Sequence, residues 1–278
     1  MSLLTMQIRE DSQNSSSALR VALVTGASSG LGREYAIQLA ARRSDTPGCE
    51  PWFNFTEIWL SGRNPARLAE TARLCTPVPC RLFAGDLIAE LNESEGELSR
   101  ALCDPAIEVA ILINSAGLGF AGRFAAQSEE QISNTLRLNC ETLTLLVHRA
   151  LPRMKCGSAV LNLASSAAFI PQPGFAVYAA TKSYVLSFSR ALNAELADSG
   201  IRVIAVCPNA VATPFQIRAG VGEIRGVKRL GMERAERVVQ RSWRALRRNR
   251  DVAISHFTAR FVRWAGKIPN RWLIKLFN

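Results

Sequence analysis

A short apolar stretch at residues 21–24 runs into a turn that contains Gly26, Gly30 and Gly32, and then into a helix-like segment. Glycine permits a tight turn and lets other backbone groups come close. The free N–H groups and the dipole at the start of the next helix attract an anion such as a pyrophosphate. This order of strand, glycine-rich turn and helix predicts the first βαβ unit of a dinucleotide-binding sheet.

Short apolar runs alternate with helix-like segments along the rest of the chain. They lie at residues 21–24, 58–60, 78–83, 109–113, 159–163 and 201–206. Such alternation predicts the α/β class, with a Rossmann-type doubly wound parallel sheet in three αβα layers. Residues 44–56 contain Pro47, Gly48 and Pro51, so we expect an enlarged surface loop between the first helix and the second strand.

One domain accounts for the size of the chain, because 278 residues with 48% hydrophobic content can bury a single substantial core. We expect residues 1–19 to be a flexible N-terminal extension and residues 20–278 to be that domain. Within it, residues 214–278 are predicted to supply a substrate lid and a C-terminal amphipathic helical extension. The seven cysteines are scattered without paired spacing, so we predict no metal site and reduced thiols in a cytoplasmic protein.

Tyr178 and Lys182 lie four residues apart and therefore share one helix face. An ammonium group beside a phenol favours the phenolate, so we expect Lys182 to lower the pKa of Tyr178 and the pair to exchange a proton near neutral pH. Carbonyl–alcohol interconversion needs such an exchange. The same spacing is common on ordinary helix surfaces, and its meaning depends on the other motifs.

The chain resembles the short-chain dehydrogenase/reductase family over residues 21–213. Residues 25–32 fit the family pattern TGxxxGxG, and residues 178–182 fit YxxxK. Residues 114–117 resemble its NNAG segment, with Ser115 in place of the second asparagine. Ser165 precedes Tyr178 by thirteen positions, as the family serine does, and Asn139 lies where the family asparagine falls. Several motifs in the same order make this resemblance specific.

The resemblance implies four catalytic residues: Asn139, Ser165, Tyr178 and Lys182. Tyr178 would donate a proton to the carbonyl oxygen, and Lys182 would stabilise the phenolate and bind the nicotinamide ribose. Ser165 would hold the carbonyl oxygen, although Ser166 is an alternative. Asn139 would position a water beside Lys182, or it would be a capping or helix-kink residue.

The resemblance also implies a set of cofactor-binding residues: Gly26, Ser28, Ser29, Gly30, Leu31, Gly32, Arg63, Asp86, Leu87, Asn114, Ala116, Gly117, Tyr178, Lys182, Pro208, Val211 and Thr213. Asp86 is alternatively a plain turn or N-cap residue. After Pro208 the family usually has glycine; Asn209 stands there, and we expect it to keep a left-handed turn.

The choice of cofactor follows from charge after the second strand. No carboxylate is present at Gly62, where one would bind the ribose of NAD, whereas Arg63 can form a bidentate pair with a 2′-phosphate. We therefore predict NADP(H). Arg33 either assists or is a solvated residue.

Two features bear on the substrate and partners. One is a set of apolar residues that form a pocket wall or belong to the core or a subunit contact: Phe169, Ile170, Pro171, Phe175, Pro214 and Phe215. Residues 232–250 predict a basic amphipathic helix, residues 252–254 an added strand, and residues 256–278 mix aromatic with basic side chains. This extension would lie on an anionic membrane surface, cover the substrate cleft, dock on a sister subunit or pack on its own domain.

These observations predict an NADP(H)-dependent oxidoreductase that interconverts a ketone, bulky and apolar or 3-oxoacyl, and a secondary alcohol. The alternatives are a non-catalytic NADP-binding regulatory module and a peripheral membrane-binding protein. The net charge of +11 comes without a nucleic-acid module signature, so we expect no nucleic-acid partner. The resemblance further implies a small-molecule substrate and a homo-dimer or homo-tetramer.

Overall fold

Seven parallel strands form the centre of the protein. The computed structural model describes residues 18–46, 48–92, 96–220 and 232–256, together with Ala259 and Arg263. The strands are β1 (Leu19–Thr25), β2 (Glu57–Gly62), β3 (Cys80–Ala84), β4 (Ile107–Asn114), β5 (Ala159–Leu163), β6 (Arg202–Cys207) and β7 (Val252–Ile254). Their order in the sheet is β3-β2-β1-β4-β5-β6-β7, which confirms the predicted doubly wound sheet.

Helices cover both faces of the sheet. They are α1 (Gly30–Arg42), α2 (Pro65–Leu74), α3 (Leu87–Asn92), α4 (Glu97–Cys103), α5 (Glu129–Leu136), α6 (Leu143–Ala150), α7 (Ala176–Glu195), α8 (Pro214–Arg218) and α9 (Ala235–Arg247). A π-helical segment, Arg137–Thr142, joins α5 to α6, and short 3₁₀ turns occupy Pro51–Phe53, Phe124–Ala126, Leu151–Arg153 and Ser166–Phe169. One core lies under α1, α2 and α9, and the other lies under α3 to α7.

The burial of both sheet faces explains why the strands read as continuous apolar runs. In β1, Ala22 and Val24 pack into one core, whereas Val21 and Leu23 pack into the other. All four side chains are fully buried. A parallel strand covered on both faces therefore loses the alternation of a half-exposed strand.

The segment between α1 and β2 is a loop as predicted, and Asp45, Thr46 and Gly48 in its first part are exposed, but its second part packs on the core. Its 3₁₀ turn buries Trp52 and Phe53, which are 4% and 2% exposed. The ring of Phe53 lies 5.3 Å from that of Trp243 in α9, in an edge-on arrangement. Aromatic burial draws this loop onto the core, a result that its prolines and glycine did not indicate.

The apolar face of α9 packs on its own domain. Trp243 is 2% exposed and contacts the ring of Tyr35 in α1 at 5.3 Å. The Tyr35 hydroxyl donates a hydrogen bond of 2.8 Å to Oγ of Ser242. The sequence left four alternatives open for the C-terminal extension. The structure shows that its helix α9 packs on its own domain. The predicted added strand is β7, which pairs with β6.

Several expectations fall outside the described residues. These concern residues 1–17 of the N-terminal extension, residues 221–231 of the lid, and the tail beyond His256 apart from Ala259 and Arg263. Among the helices that are described, none has the length and hydropathy needed to cross a bilayer.

Candidate active site

A cavity of about 1310 Å³ opens at the carboxyl edge of the sheet. The loops that follow β1, β2, β4, β5 and β6 contribute its walls, because the carboxyl ends of parallel strands meet at one edge. Ligands of doubly wound folds bind in this crevice. The cavity brings together most of the predicted site residues, and they divide between a charged half and an apolar half.

The glycine-rich turn after β1 forms the floor of the charged half. Gly26 has φ +66°, and a Cβ there would stand 2.9 Å from the backbone nitrogen of Ala116. Thr25 fixes the same contact, because its Oγ1 accepts hydrogen bonds of 3.1 Å from the N–H groups of Ser115 and Ala116. The turn and the segment after β4 thus form one rigid floor.

Ser28, Ser29, Gly30 and Leu31 line the cavity at the N-terminal end of α1. The hydroxyl of Ser28 is buried and has no hydrogen-bond partner among the residues that the structure describes. An unsatisfied buried hydroxyl beside a helix N-terminus fits the pyrophosphate of a dinucleotide. Gly32 does not line the cavity; it packs against the backbone of Gly26.

Three arginines converge on the cavity next to this turn: Arg63 after β2, Arg67 in α2 and Arg218 at the end of α8. In the described part of the chain, no carboxylate forms an ion pair with any of them. Burial, together with repulsion from Arg63 and Arg67, lowers the pKa of Arg218. Uncompensated positive charge of this kind suits a doubly charged anion such as a 2′-phosphate.

Sequence reasoning found only the first of these arginines. Arg67 follows Arg63 by four positions at the start of a helix, a spacing that offers a signal. Arg218 comes from a distant segment, and nothing in the sequence places it here. Arg33, the other sequence candidate, donates instead to the Glu70 carboxylate at 2.9 Å and to the Ser28 carbonyl at 3.0 Å.

The remaining predicted cofactor positions divide between wall and interior. Asp86 and Leu87 line the cavity, and Oδ1 of Asp86 also accepts the N–H of Ile88 at 2.8 Å, so the turn role and the wall position coincide. Asn114 does not line the cavity. Its amide donates to Oδ1 of Asn162 at 2.8 Å inside the sheet. The following residues also form part of the wall: Ala116, Gly117, Pro208, Val211 and Thr213.

The expected left-handed turn at Asn209 is wrong. Among the described residues other than glycine, positive φ occurs at Asn249 and not at Asn209. The turn is held by hydrogen bonds instead. The N–H of Asn209 donates to Oε1 of Glu233 at 3.0 Å, and the N–H of Ser166 donates to the carbonyl of Pro208 at 2.8 Å.

Tyr178 and Lys182 lie in the first turns of α7 and face the same cavity. Lys182 is only 4% exposed, and its Nζ donates a 2.7 Å hydrogen bond to the carbonyl of Leu163 at the end of β5. Burial lowers the pKa of Lys182 to about 8. Its Nζ stands 5.5 Å from the centre of the Tyr178 ring.

The expectation that the pKa of Tyr178 is lowered is wrong. Burial raises the pKa of Tyr178 to about 12, and a hydrogen bond with the Ser165 side chain opposes this rise only in part. Desolvation is the largest influence on the pKa of both groups. It disfavours the phenolate of Tyr178 and the ammonium of Lys182. Tyr178 is nevertheless partly exposed and lines the cavity.

The two serines after β5 have different partners. Ser165 interacts with Tyr178, and its Oγ also accepts the N–H of Ala167 at 3.2 Å. Oγ of Ser166 lies 3.2 Å from Oδ1 of Asn209. The geometry favours Ser165 as the partner of Tyr178.

Asn139 lies in the π-helical segment between α5 and α6 and does not line the cavity. Its Oδ1 accepts the N–H of Leu118 at 2.8 Å, and its Nδ2 donates to the carbonyl of Leu118 and to Oγ1 of Thr181. A Cβ at Gly117 would lie 3.3 Å from Asn139 Oδ1 and 3.5 Å from Lys182 Nζ. Asn139 thus holds the loop that borders Lys182.

Aromatic rings enclose Tyr178 in the apolar half. The ring of Phe175 is centred 4.5 Å from that of Tyr178, and the ring of Phe215 is centred 5.5 Å from it on α8. The backbone of Gly119 also lies against this ring, since a Cβ there would stand 2.6 Å from the Tyr178 ring. Leu118, Leu138, Gln172 and Gln216 complete this part of the wall.

The other four predicted wall residues are elsewhere. Pro214 is exposed at the start of α8 and does not line the cavity. Phe169 packs against the core and Ile170 is buried, whereas Pro171 is exposed, and none of the three lines the cavity. Across the described residues, no cluster of three or more His, Cys, Asp or Glu side chains is suited to a metal ion.

Comparison with known proteins identifies the fold and the family. Residues 53–222 match the model of the short chain dehydrogenase family. An uncharacterized oxidoreductase of Staphylococcus epidermidis is 30% identical over 206 residues, which cover 73% of this chain and 83% of that protein.

Two solved structures are similar throughout. A short-chain dehydrogenase from Sphingobium yanoikuyae in complex with NADPH has 31% identity and a TM-score of 0.71, covering 90% of this chain and 93% of that one. The bulky-bulky ketone specific alcohol dehydrogenase from Comamonas testosteroni has 27% identity and a TM-score of 0.68, with 90% and 92% covered. The chain therefore belongs to the short-chain dehydrogenase family and is an oxidoreductase.

Proposed function

We propose that the protein is an NADP(H)-dependent oxidoreductase that interconverts a bulky apolar ketone and its secondary alcohol, with Tyr178 as the acid and base. The observation that carries this proposal is that Tyr178 is enclosed by Phe175 and Phe215 in the same cavity as the glycine-rich turn and three arginines that pair with no carboxylate of the described residues. The charged half suits the coenzyme, and the apolar half suits the substrate.

Cofactor preference rests on Arg63, Arg67 and Arg218. Three guanidinium groups repel one another unless an anion lies among them, and a 2′-phosphate supplies two negative charges. NADP carries that phosphate and NAD does not. The similar Sphingobium enzyme, whose structure contains NADPH, supports the same preference.

The chemistry follows from the protonation states. The bound coenzyme supplies or accepts a hydride. With a pKa of about 12, Tyr178 keeps its proton at neutral pH and can donate it to the oxygen of a ketone. Ser165, which interacts with Tyr178, is placed to hold that oxygen. Lys182, with a pKa of about 8, stands close enough to favour the phenolate as it forms.

The substrate class rests on the shape of the apolar half. Aromatic walls from α7 and α8 favour a ketone with apolar substituents, and the similar Comamonas enzyme is specific for bulky-bulky ketones. A 3-oxoacyl thioester is the other substrate to be compared, because an acyl chain also fits an apolar wall.

The test measures NADPH consumption by the purified protein against diaryl ketones, aliphatic ketones and 3-oxoacyl thioesters, with NADH in parallel. Tyr178→Phe is expected to lower kcat by roughly 1000-fold or more while NADPH binding is kept. Tyr184→Phe is the matched control, because Tyr184 lies in the same helix with its hydroxyl 2.9 Å from Thr144, outside the cavity.

Full activity in Tyr178→Phe would refute the proposal. Tight NADPH binding without turnover of any ketone would indicate the non-catalytic regulatory module instead.

A homo-dimer or homo-tetramer is part of the proposal. Leu136 on α5 and Tyr184 on α7 are 46% and 42% exposed. Exposed apolar groups on neighbouring helices favour a subunit contact there. Light scattering of the wild type and of Leu136→Glu tests it, with a smaller particle expected for the variant.

A further inference from the structure

The positive charge of the chain is concentrated at its C-terminal end. Residues 232–278 contain twelve of the 34 Lys and Arg residues but only three of the 23 Asp and Glu residues. The preceding residues are close to electrically balanced. Nearly all of the net charge of +11 therefore belongs to α9, β7 and the segment that follows them.

In α9 and its two cap positions, arginines follow one face. Arg234, Arg237, Arg241, Arg244 and Arg248 are spaced three, four, three and four residues apart, so they form one stripe along the helix. All five are exposed. The stripe extends for about 21 Å at 1.5 Å per residue. It lies opposite the buried face that holds Trp243.

The stripe is poorly neutralised. Arg241 lies 3.6 Å from the carboxylate of Glu233, which already accepts a hydrogen bond of 2.5 Å from Ser255. The other four arginines form no ion pair within the described ranges. By contrast, Arg247, one step off the stripe, pairs with Glu50.

The stripe forms one wall of a groove of about 920 Å³. Arg250, Ser255, His256 and Arg263 contribute to the rest of its wall. This groove is separate from the active-site cavity, because the two share no lining residue. The basic face, defined as the arginine stripe together with Arg250 and Arg263, is thus a surface that the proposed oxidoreductase chemistry does not use.

We propose that the basic face docks the protein on an anionic phospholipid bilayer. Arginines near such a surface are attracted in proportion to their number, and a stripe parallel to a helix axis presents them together. The sequence beyond the face adds apolar and aromatic residues, which partition into the membrane interface: Phe257, Phe261, Trp264, Trp272, Leu273, Leu276 and Phe277.

A nucleic acid is the weaker match to these observations. A duplex would use the arginines, but it has no use for seven apolar and aromatic side chains interspersed with Arg260, Lys267, Arg271 and Lys275. The apolar and aromatic side chains favour a lipid bilayer over a nucleic acid as the partner. A DNA duplex is therefore included as a competing ligand in the test.

The experiment measures co-sedimentation of the full-length protein with phosphatidylcholine vesicles that contain about 30% phosphatidylglycerol. The variant combines Arg237→Ala, Arg244→Ala and Arg248→Ala. The matched control combines Arg73→Ala, Arg100→Ala and Arg123→Ala, which removes the same charge from exposed arginines elsewhere. Wild type and control are expected to bind, and the stripe variant is expected to bind about tenfold more weakly or worse.

Further readouts keep the result independent of folding and of catalysis. Binding should weaken as salt rises and should be about absent on pure phosphatidylcholine. The melting temperature and NADPH affinity of the stripe variant should match those of the wild type. Equal binding by the stripe variant and the control, equal binding to neutral vesicles, or binding to a DNA duplex in preference to vesicles would overturn the proposal.

Discussion

The two halves of the active-site cavity have opposite effects on charged groups: one leaves them charged, and the other favours their neutral forms. The charged half gathers Arg63, Arg67 and Arg218, none of which pairs with a carboxylate of the described residues, so positive charge remains there for a ligand to neutralise. The apolar half does the reverse, because burial drives both Tyr178 and Lys182 toward their neutral forms. The proposed anion binding therefore depends on exposed charge, and the proposed proton transfer depends on pKa values that burial has shifted.

Lys182→Met is the substitution with the largest expected effect, and it tests whether the two halves act separately. Lys182 lies beside Tyr178, and its loss removes the cation that favours the phenolate while leaving the Leu163 carbonyl without its donor. We expect kcat to fall by roughly 100-fold or more. Steady-state kinetics measure it, and 2′,5′-ADP binding to the charged half should stay within about twofold of wild type. A loss confined to 2′,5′-ADP affinity would contradict the division.

The dependence of rate on pH sharpens the contrast. Alcohol oxidation needs the Tyr178 phenolate, whose fraction rises up to about tenfold per pH unit below the pKa. Ketone reduction needs the phenol, which with a pKa of about 12 persists through neutral and mildly alkaline pH. Initial rates should therefore rise with pH for oxidation and fall little for reduction. Identical profiles in both directions would refute Tyr178 as the titrating group.

Arg218→Ala tests the charged half at an arginine that the sequence did not indicate. Charge-assisted hydrogen bonds contribute about 1.5–3 kcal/mol, so we expect affinity for 2′,5′-ADP to fall roughly 10-fold to 100-fold. Affinity for 5′-AMP, which lacks the 2′-phosphate, should change little. Calorimetry provides both values, and Arg73→Ala, an exposed arginine of α2 that does not line the cavity, is the control. Equal losses for both nucleotides would remove Arg218 from phosphate recognition.

Phe175→Ala carries the smallest expected effect and concerns the apolar half alone. Removing a ring that lies 4.5 Å from Tyr178 should raise KM for a bulky aromatic ketone about threefold to tenfold, with a smaller change for a small aliphatic ketone. Phe169→Ala, at a position that does not line the cavity, serves for comparison. A greater effect at Phe169 would mean that the wall has been assigned to the wrong side chains.

The sequence predicted the elements whose causes are local. Apolar runs buried on both faces indicated the strands, and the glycine-rich turn indicated the start of α1. Tyr178, Lys182 and Ser165 came with fixed spacing along the chain, and the structure brings them to one cavity. Such features need no knowledge of distant contacts.

The errors arose where distant segments decide the outcome. Trp52 and Phe53 are core residues through contacts with segments distant in sequence, such as that of Phe53 with Trp243 of α9. Asn209 does not need a left-handed turn, since Glu233 binds its N–H. The pKa of Tyr178 depends on burial by the whole fold, which outweighs one neighbouring ammonium. Arg218 reaches the cavity from α8, at a separation that no spacing rule covers.

The contact between Tyr35 and α9 has a consequence for the architecture of the chain. Tyr35 is held by Ser242 and Trp243, and the N-terminal end of the helix that contains Tyr35 lines the cavity floor. Helix α9 thus supports from behind the helix whose first residues line the cavity. A chain shortened ahead of α9 would lose that support and would expose the ring and the hydroxyl of Tyr35 to water.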